Sequence, residues 1–153
     1  MQLKKLGLYL LFSVLVSTFA VGQNNAGFAF AADEPHYILI TMTDRALDIP
    51  EVRAEVTKYV WRNHAADKLK ITHILIGENR STNAIILEAF TDKNHAMNFY
   101  DKMQTNHPDF MQMGLTKEYL VISKSNYEQI LRNESMDGYT IFFKEKYFWV
   151  VNV

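Results

Sequence analysis

Histidines and carboxylates are the residues of this chain best suited to acid–base chemistry, and one pair of them stands out. His73 and Glu88 lie in two neighbouring apolar runs, Lys70–Ile76 and Ala84–Phe90. If these runs form a hairpin with His73 opposite Glu88, the carboxylate would orient the imidazole and raise its pKa, which suits proton transfer. We therefore predict a small binding site made of these two acid–base candidates and two tyrosines as walls or donors: Tyr37, His73, Glu88 and Tyr119.

The same pair has a purely structural interpretation. A histidine and a carboxylate on adjacent strands can satisfy each other beside a covered surface without any ligand. The sequence leaves both interpretations open.

The remaining chemistry-bearing residues form no recognisable motif. The other histidines, His36, His64, His95 and His107, lack ligand spacing such as i and i+4, so no metal site is predicted. The chain has no cysteine, and its serines lie in turn and cap contexts without a partnered base. The sequence therefore predicts no cofactor.

Composition narrows the range of partners. The chain carries 16 basic and 17 acidic residues, which are scattered rather than clustered. Nucleic acid is not an expected partner, since phosphate binding needs grouped Lys and Arg. Without disulfides the fold must rely on apolar burial, and 48% hydrophobic and 13% aromatic residues can supply it.

Residues 1–22 have the composition of a secretory signal peptide. Lys4 and Lys5 precede an apolar run, Leu6–Ala20, and small residues follow at Ala20 and Gly22. The run is shorter than the roughly 20 residues that a membrane-spanning helix needs, so no membrane span is expected after cleavage. We predict a periplasmic or secreted protein.

The segment 23–35 is small, polar and alanine-rich, and it predicts a linker between the signal peptide and the folded part. A second cleavage pattern, Ala29–Ala31, lies within it, some distance beyond the apolar run. Cleavage after residue 22 is the expectation.

Hydrophobic periodicity predicts one domain over residues 36–123. Strands are expected at 37–43, 70–76, 84–90 and 118–123, with helices beginning near Pro50 and Asp92. This order, βαββαβ, predicts an α+β ferredoxin-like fold with a four-stranded antiparallel sheet. Residues 124–153 are expected to add a C-terminal helical extension, with one helix capped by Ser125 and Glu128 and another after Gly138.

Alternation along each strand divides the sheet residues into two sets. A wholly apolar set is expected to meet the helices: Ile38, Ile40, Met42, Ile74, Ile76, Ile85, Leu87, Ala89, Leu120 and Ile122. A mixed set is expected opposite: Tyr37, Leu39, Thr41, Ile71, His73, Leu75, Ile86, Glu88, Phe90, Tyr119, Val121 and Ser123. That second face is too apolar for open water, so the C-terminal tail, a second copy or another protein should cover it.

Several packing motifs carry a resemblance to a known family. They are His36–Ile40, Leu87–Phe90 with Asp92–Tyr100, Tyr119–Ser123 and Tyr139–Tyr147. Together they resemble the C-terminal domain of large tetratricopeptide-repeat cell-envelope proteins of Bacteroidota, over about residues 36–148. The resemblance implies envelope work without catalytic residues. The helix after Phe90 is also similar to that of dimeric α/β-barrel proteins, which include small monooxygenases.

The expected function is an exported protein-binding module of the bacterial cell envelope, with another envelope protein or a second copy of the chain as its partner. The mixed sheet face or an edge strand would be the contact surface. The alternative is a homodimeric α/β barrel enclosing a small-molecule pocket around His73 and Glu88, with enzymatic activity open. A purely structural envelope component is the third possibility.

Overall fold

The computed structural model describes residues 27–43 and 48–148. The predicted signal peptide and the end of the C-terminal tail lie outside these residues. The strands are β1 His36–Met42, β2 Lys70–Ile76, β3 Thr82–Phe90 and β4 Thr116–Ser123. The helices are α1 Ile49–Asn63, α2 Lys93–Asn106, α3 Asp109–Gln112, α4 Lys124–Asn133 and α5 Tyr139–Phe143, and α5 continues into a π-helical turn, Lys144–Phe148.

The four strands form one antiparallel sheet in the order β2-β3-β1-β4. The class is α+β, and this strand order together with the helices after β1 and β3 is compatible with the predicted ferredoxin-like fold. In the described part of the chain no helix is long and apolar enough to cross a membrane.

The two main helices begin where the sequence predicts. The Asp48 carboxylate accepts a hydrogen bond from the Glu51 amide at 3.0 Å and caps α1, and Pro50 occupies the first turn. Asp92 caps α2 in the same way through the His95 amide at 2.9 Å. Each helix buries one apolar stripe: Val52, Val56, Tyr59 and Val60 on α1, and Ala96, Phe99 and Met103 on α2.

The register corrects the predicted division of the sheet into faces. Leu120 and Ile122 lie opposite Leu39 and Tyr37, so they share a face with them and not with Ile38. The helix face instead contains Phe90, Tyr119 and Val121, with Phe90 against Phe99 and Tyr119 against Phe110. The prediction failed here because apolar residues occupy both faces of β1 and β4, so hydrophobicity did not identify the face.

The second sheet face is covered by α4 of the same chain. Tyr127 on α4 packs edge-on against Tyr37, with ring centroids 5.4 Å apart. At the far end of the helix, Glu134 lies 3.8 Å from Arg80 in the turn between β2 and β3. The strand residues beneath are almost inaccessible: Leu39, Ile86, Leu120 and Ile122 are each at most 2% exposed.

The first helix of the C-terminal extension starts two residues earlier than predicted. The Ser123 hydroxyl, rather than that of Ser125, accepts the cap hydrogen bond from the Asn126 amide. Ser125 instead bonds the Glu34 carboxylate through its amide and its hydroxyl. The predicted start of α5 after Gly138 is confirmed, and Gly138 has the positive φ of +79° that favours glycine.

The described part of the predicted linker, residues 27–35, packs against the C-terminal extension. The side-chain amide of Asn126 donates to the carbonyl of Ala29 at 2.8 Å and accepts from its amide at 3.1 Å. Phe28 lies edge-on against Tyr139, with ring centroids 4.9 Å apart. Residues 27–35 therefore belong to the packed unit.

Candidate functional site

The predicted pairing of His73 with Glu88 is wrong. His73 lies opposite Ile85, a shift of three residues from the predicted register, and Glu88 lies opposite Lys70 with an ion pair of 3.2 Å. An odd shift places the two side chains on opposite faces of the sheet. The sequence assigned Thr82 and Asn83 to the turn, but both belong to β3, and the Asn83 side chain bonds the His73 ring at 2.8 Å.

The two predicted tyrosines are also separated by the sheet. Tyr37 lies on the face of Glu88, where burial and the nearby Glu88 carboxylate raise its pKa. Tyr119 lies on the helix face, where its hydroxyl bonds that of Thr116. The four residues Tyr37, His73, Glu88 and Tyr119 therefore do not form one site.

A different group of titratable side chains comes together between the end of α1 and the start of α2. The two oxygens of Asp67 each meet a histidine: Nδ1 of His64 at 3.1 Å and Nε2 of His95 at 3.2 Å. The sequence did not reveal this group because His95 reaches it only through tertiary packing. The local signal was Asp67 three residues after His64, directly past a helix end.

His64 is the buried member of this group. It is 8% exposed, and its ring packs on Phe99 with centroids 4.3 Å apart. Burial lowers the pKa of His64, and the interaction with Asp67 partly opposes that shift. A neutral imidazole that donates from Nδ1 to Asp67 keeps a lone pair on Nε2, and Nε2 is buried with no hydrogen-bond partner among the described residues.

Two cavities meet at this histidine. One, of about 200 Å³, is polar and includes Asp67, His95 and Lys102. The other, of about 280 Å³, lies between α1 and the start of β2 and is lined by Val60, Trp61, His64, Ala65, Lys68, Leu69 and Ile71. Among the described residues, no group of three or more His, Cys, Asp or Glu could hold a metal ion.

A second buried polar group lies where α5 and its π-helical turn meet β1 and β4. His36 is fully buried, with Nδ1 at 2.8 Å from the Glu34 carbonyl and Nε2 at 3.0 Å from the Tyr147 hydroxyl. Burial lowers the pKa of His36 and raises that of Tyr147 to about 12. The Tyr139 hydroxyl donates to the Val121 carbonyl at 2.8 Å. These contacts satisfy one another, which makes this group structural.

The β2 edge differs from the β4 edge. The guanidinium of Arg53 donates to the Ile71 carbonyl at 3.3 Å, so this carbonyl points away from β3. Because backbone direction alternates along a strand, the amides and carbonyls of His73 and Leu75 also point outward. Leu75 is 47% exposed and lies at a groove of about 470 Å³ that continues to Leu131 on α4.

Comparison with known proteins finds no match for this chain among family models, curated proteins or solved structures.

Proposed function

We propose that this chain is an exported protein-binding module of the bacterial cell envelope, which binds an extended segment of a partner protein along β2. One observation carries the proposal: β2 is an edge strand whose outward backbone groups lie beside a partly apolar groove. Addition of a strand to such an edge supplies main-chain hydrogen bonds, and adjacent pockets supply side-chain specificity. The predicted signal peptide and the envelope-protein resemblance support the location.

The charges around β2 favour an acidic partner segment. Lys70 at the start of the strand and Arg80 just after its end each have 71% of their side chain exposed. Each of these cations pairs with a carboxylate, Glu88 or Glu134, but an ion pair this exposed neutralises the positive charge only in part. The expected segment therefore carries an apolar residue for the surface of Leu75 and acidic residues towards the two ends of the strand.

Lysine at an edge strand also has a protective explanation, because charged edges hinder unwanted pairing between sheets. That explanation accounts for Lys70. It does not account for the exposed Leu75 beside Leu131, which itself is 43% exposed.

The homodimeric barrel has less support. Such a dimer would bury an open sheet face against its copy, but Leu39, Ile86 and Ile122 are covered by α4 of their own chain. The strand register also separates His73 from Glu88, so the predicted pocket around these two residues does not form. A second copy bound at β2 remains an outcome of the tests below.

Proline substitution separates edge pairing from side-chain contact. His73→Pro removes an outward amide that β3 does not use, and edge strands tolerate proline at such positions. His73→Ala keeps that amide and removes only the side chain. We expect the wild type and His73→Ala to capture the same envelope protein. His73→Pro should capture at least about tenfold less of it. Equal capture by all three, or no capture by any, would contradict the proposal.

Photocrosslinking locates the contact directly. A benzophenone amino acid at Leu75 should crosslink the captured protein, whereas the same group at Ile141 on α5, which is more exposed than Leu75, should not. Crosslinks at Leu75 between differently tagged copies of this chain would show that the partner is a second copy and not another envelope protein.

A further inference from the structure

The apolar cavity between α1 and the start of β2 lies beside the proposed binding edge. Its lining includes Ile71, whose carbonyl is one of the outward backbone groups of β2. We infer that this cavity is a specificity pocket, which takes one aromatic side chain of the partner segment from the residue that pairs with Ile71. The inference rests on the proposed function, because a strand added to β2 delivers that side chain.

The pleat of the sheet is the first step of the argument. Ile71 pairs with Leu87, and Leu87 pairs with Ile38. Ile38 in turn pairs with Val121, a residue of the helix face. Directly opposed residues of a sheet point to the same face, and this rule extends to an added strand. The partner residue opposite Ile71 therefore projects its side chain towards α1, on the side where the cavity lies.

The backbone of Ile71 is accessible for this pairing. Its carbonyl accepts a hydrogen bond from the guanidinium of Arg53 at 3.3 Å, at an exposed position. A bond of this length at such a position contributes little to stability, so an amide of the partner strand can replace it. The freed guanidinium adds positive charge to the edge, which favours the acidic segment already proposed.

The lining of the cavity defines the side chain that enters it. Val60 and Leu69 supply apolar walls, and Trp61 offers an indole, 76% exposed, for packing against a second ring. The volume of about 280 Å³ is below the usual range for small-molecule pockets and suits one large side chain. Lys68 also lines the cavity and is exposed, so it favours a carboxylate nearby. The expected segment therefore carries an aromatic residue with acidic neighbours.

Photocrosslinking tests the pocket and the edge separately. Leu75 and Ile71 are four residues apart on the same strand, so their partners in a continuous added strand are also four residues apart. A benzophenone amino acid is placed at Leu75 or at Trp61, and the crosslinked residues of the captured protein are identified by mass spectrometry. We expect the Trp61 crosslink at or beside an aromatic residue four positions from the Leu75 crosslink. The control is Arg62, which is exposed on α1 but lines a different cavity, and it should give no crosslink.

The two crosslinking positions also separate failure of the pocket from failure of the proposed function. A crosslink at Leu75 without one at Trp61, or a Trp61 crosslink at another spacing, would overturn the pocket and leave binding along β2 intact. The absence of a crosslink at Leu75 would contradict binding along β2 itself.

Filling the cavity gives an independent test. Ala65 is exposed and lines the apolar cavity, whereas its neighbour Ala66 is exposed and lines only the polar one. Ala65→Phe should reduce capture of the partner about tenfold, because the new ring occupies the space of the partner's side chain. Ala66→Phe is the control and should capture as the wild type does. Wild-type capture by Ala65→Phe, with reduced capture by His73→Pro, would overturn the pocket alone.

Discussion

The two edges of the sheet face different surroundings, although both belong to the same four strands. At β4 the outward Val121 carbonyl accepts a hydrogen bond from Tyr139, a fully buried residue of α5. At β2 the outward groups of His73 and Leu75 lie beside an open groove, and Arg53 reaches only the Ile71 carbonyl. In the described part of the chain, the C-terminal extension thus closes one edge and leaves the other uncovered.

This difference allows a small domain without cysteines to anchor one sheet edge by buried contacts, while the other, the proposed binding edge, keeps exposed side chains. One group of aromatic contacts lies where residues 27–35 meet α5 and its π-helical turn, and the side chain of Asn126 on α4 binds the backbone of Ala29. The β2 edge contributes exposed ion pairs, which are worth little. Substitutions should therefore affect stability strongly at the first edge and weakly at the second.

Tyr139→Ala should give the largest effect. It removes a fully buried ring that packs against Phe28 and Phe142, so we expect a loss of about 3–5 kcal/mol in the free energy of unfolding. Ile141→Ala, on the same helix but 57% exposed, is the control and should cost less than about 1 kcal/mol. Urea unfolding of both variants measures the difference, and equal losses would show that α5 does not close the β4 edge.

Asn126→Ala should have an intermediate effect. It removes the two hydrogen bonds to the backbone of Ala29, and we expect a loss of about 1–3 kcal/mol. The neighbouring Ser125→Ala, at an exposed site, should cost less. If chemical denaturation gave Asn126→Ala the stability of the wild type, residues 27–35 would not contribute to the fold.

Acid should destabilise the folded protein through His36 on β1. Burial lowers the pKa of His36 in the folded protein, so below its ordinary value of 6.5 the unfolded chain binds the extra proton first. The contribution to stability is complete above pH 6.5 and is lost as pH falls, at no more than about 1.4 kcal/mol per pH unit.

The histidine responsible can be identified by substitution. Urea midpoints between pH 5 and pH 8 should show a shallower pH dependence for His36→Gln than for the wild type. His107→Asn is the control, because His107 is exposed and has a positive φ of 44° that asparagine tolerates. An unchanged slope in His36→Gln would exclude His36 as the source.

The smallest effect belongs to the open edge. Arg80→Ala removes an exposed pair with Glu134 at 3.8 Å and should cost less than about 1 kcal/mol. The same variant should weaken binding of an acidic segment at β2, so a binding assay and a thermal melt together separate the two roles. A loss of several kcal/mol would mean that the turn between β2 and β3 supports the core.

The elements of the fold were predictable because each has a local cause. Apolar spacing placed α1 and α2, and Asp48 and Asp92 marked their starts. Register was not predictable in the same way, because Leu39 and Ile38 are both fully buried on opposite faces. The turn after Gly77 sets the register in which β2 pairs with β3.

The candidate sites show the same division between local and tertiary information. His64 and Asp67 are close in sequence, but the role of His95 depends on how α2 docks beside α1. The covered β4 edge required long-range contacts between Ala29 and Asn126, which no periodicity indicates. The position of β2 at an edge of the sheet could not be predicted, because it depends on the strand order.

The packing of residues 27–35 against α4 and α5 has a consequence for biosynthesis. Residues 27–35 contact α4 and α5, with 97 residues separating Ala29 from Asn126, and β1 pairs with β3 and β4, which are also made later. Contacts of such long sequence separation form late. We expect the domain to stay unfolded until α4 and α5 have been synthesised, because residues 27–35 need both helices for their contacts.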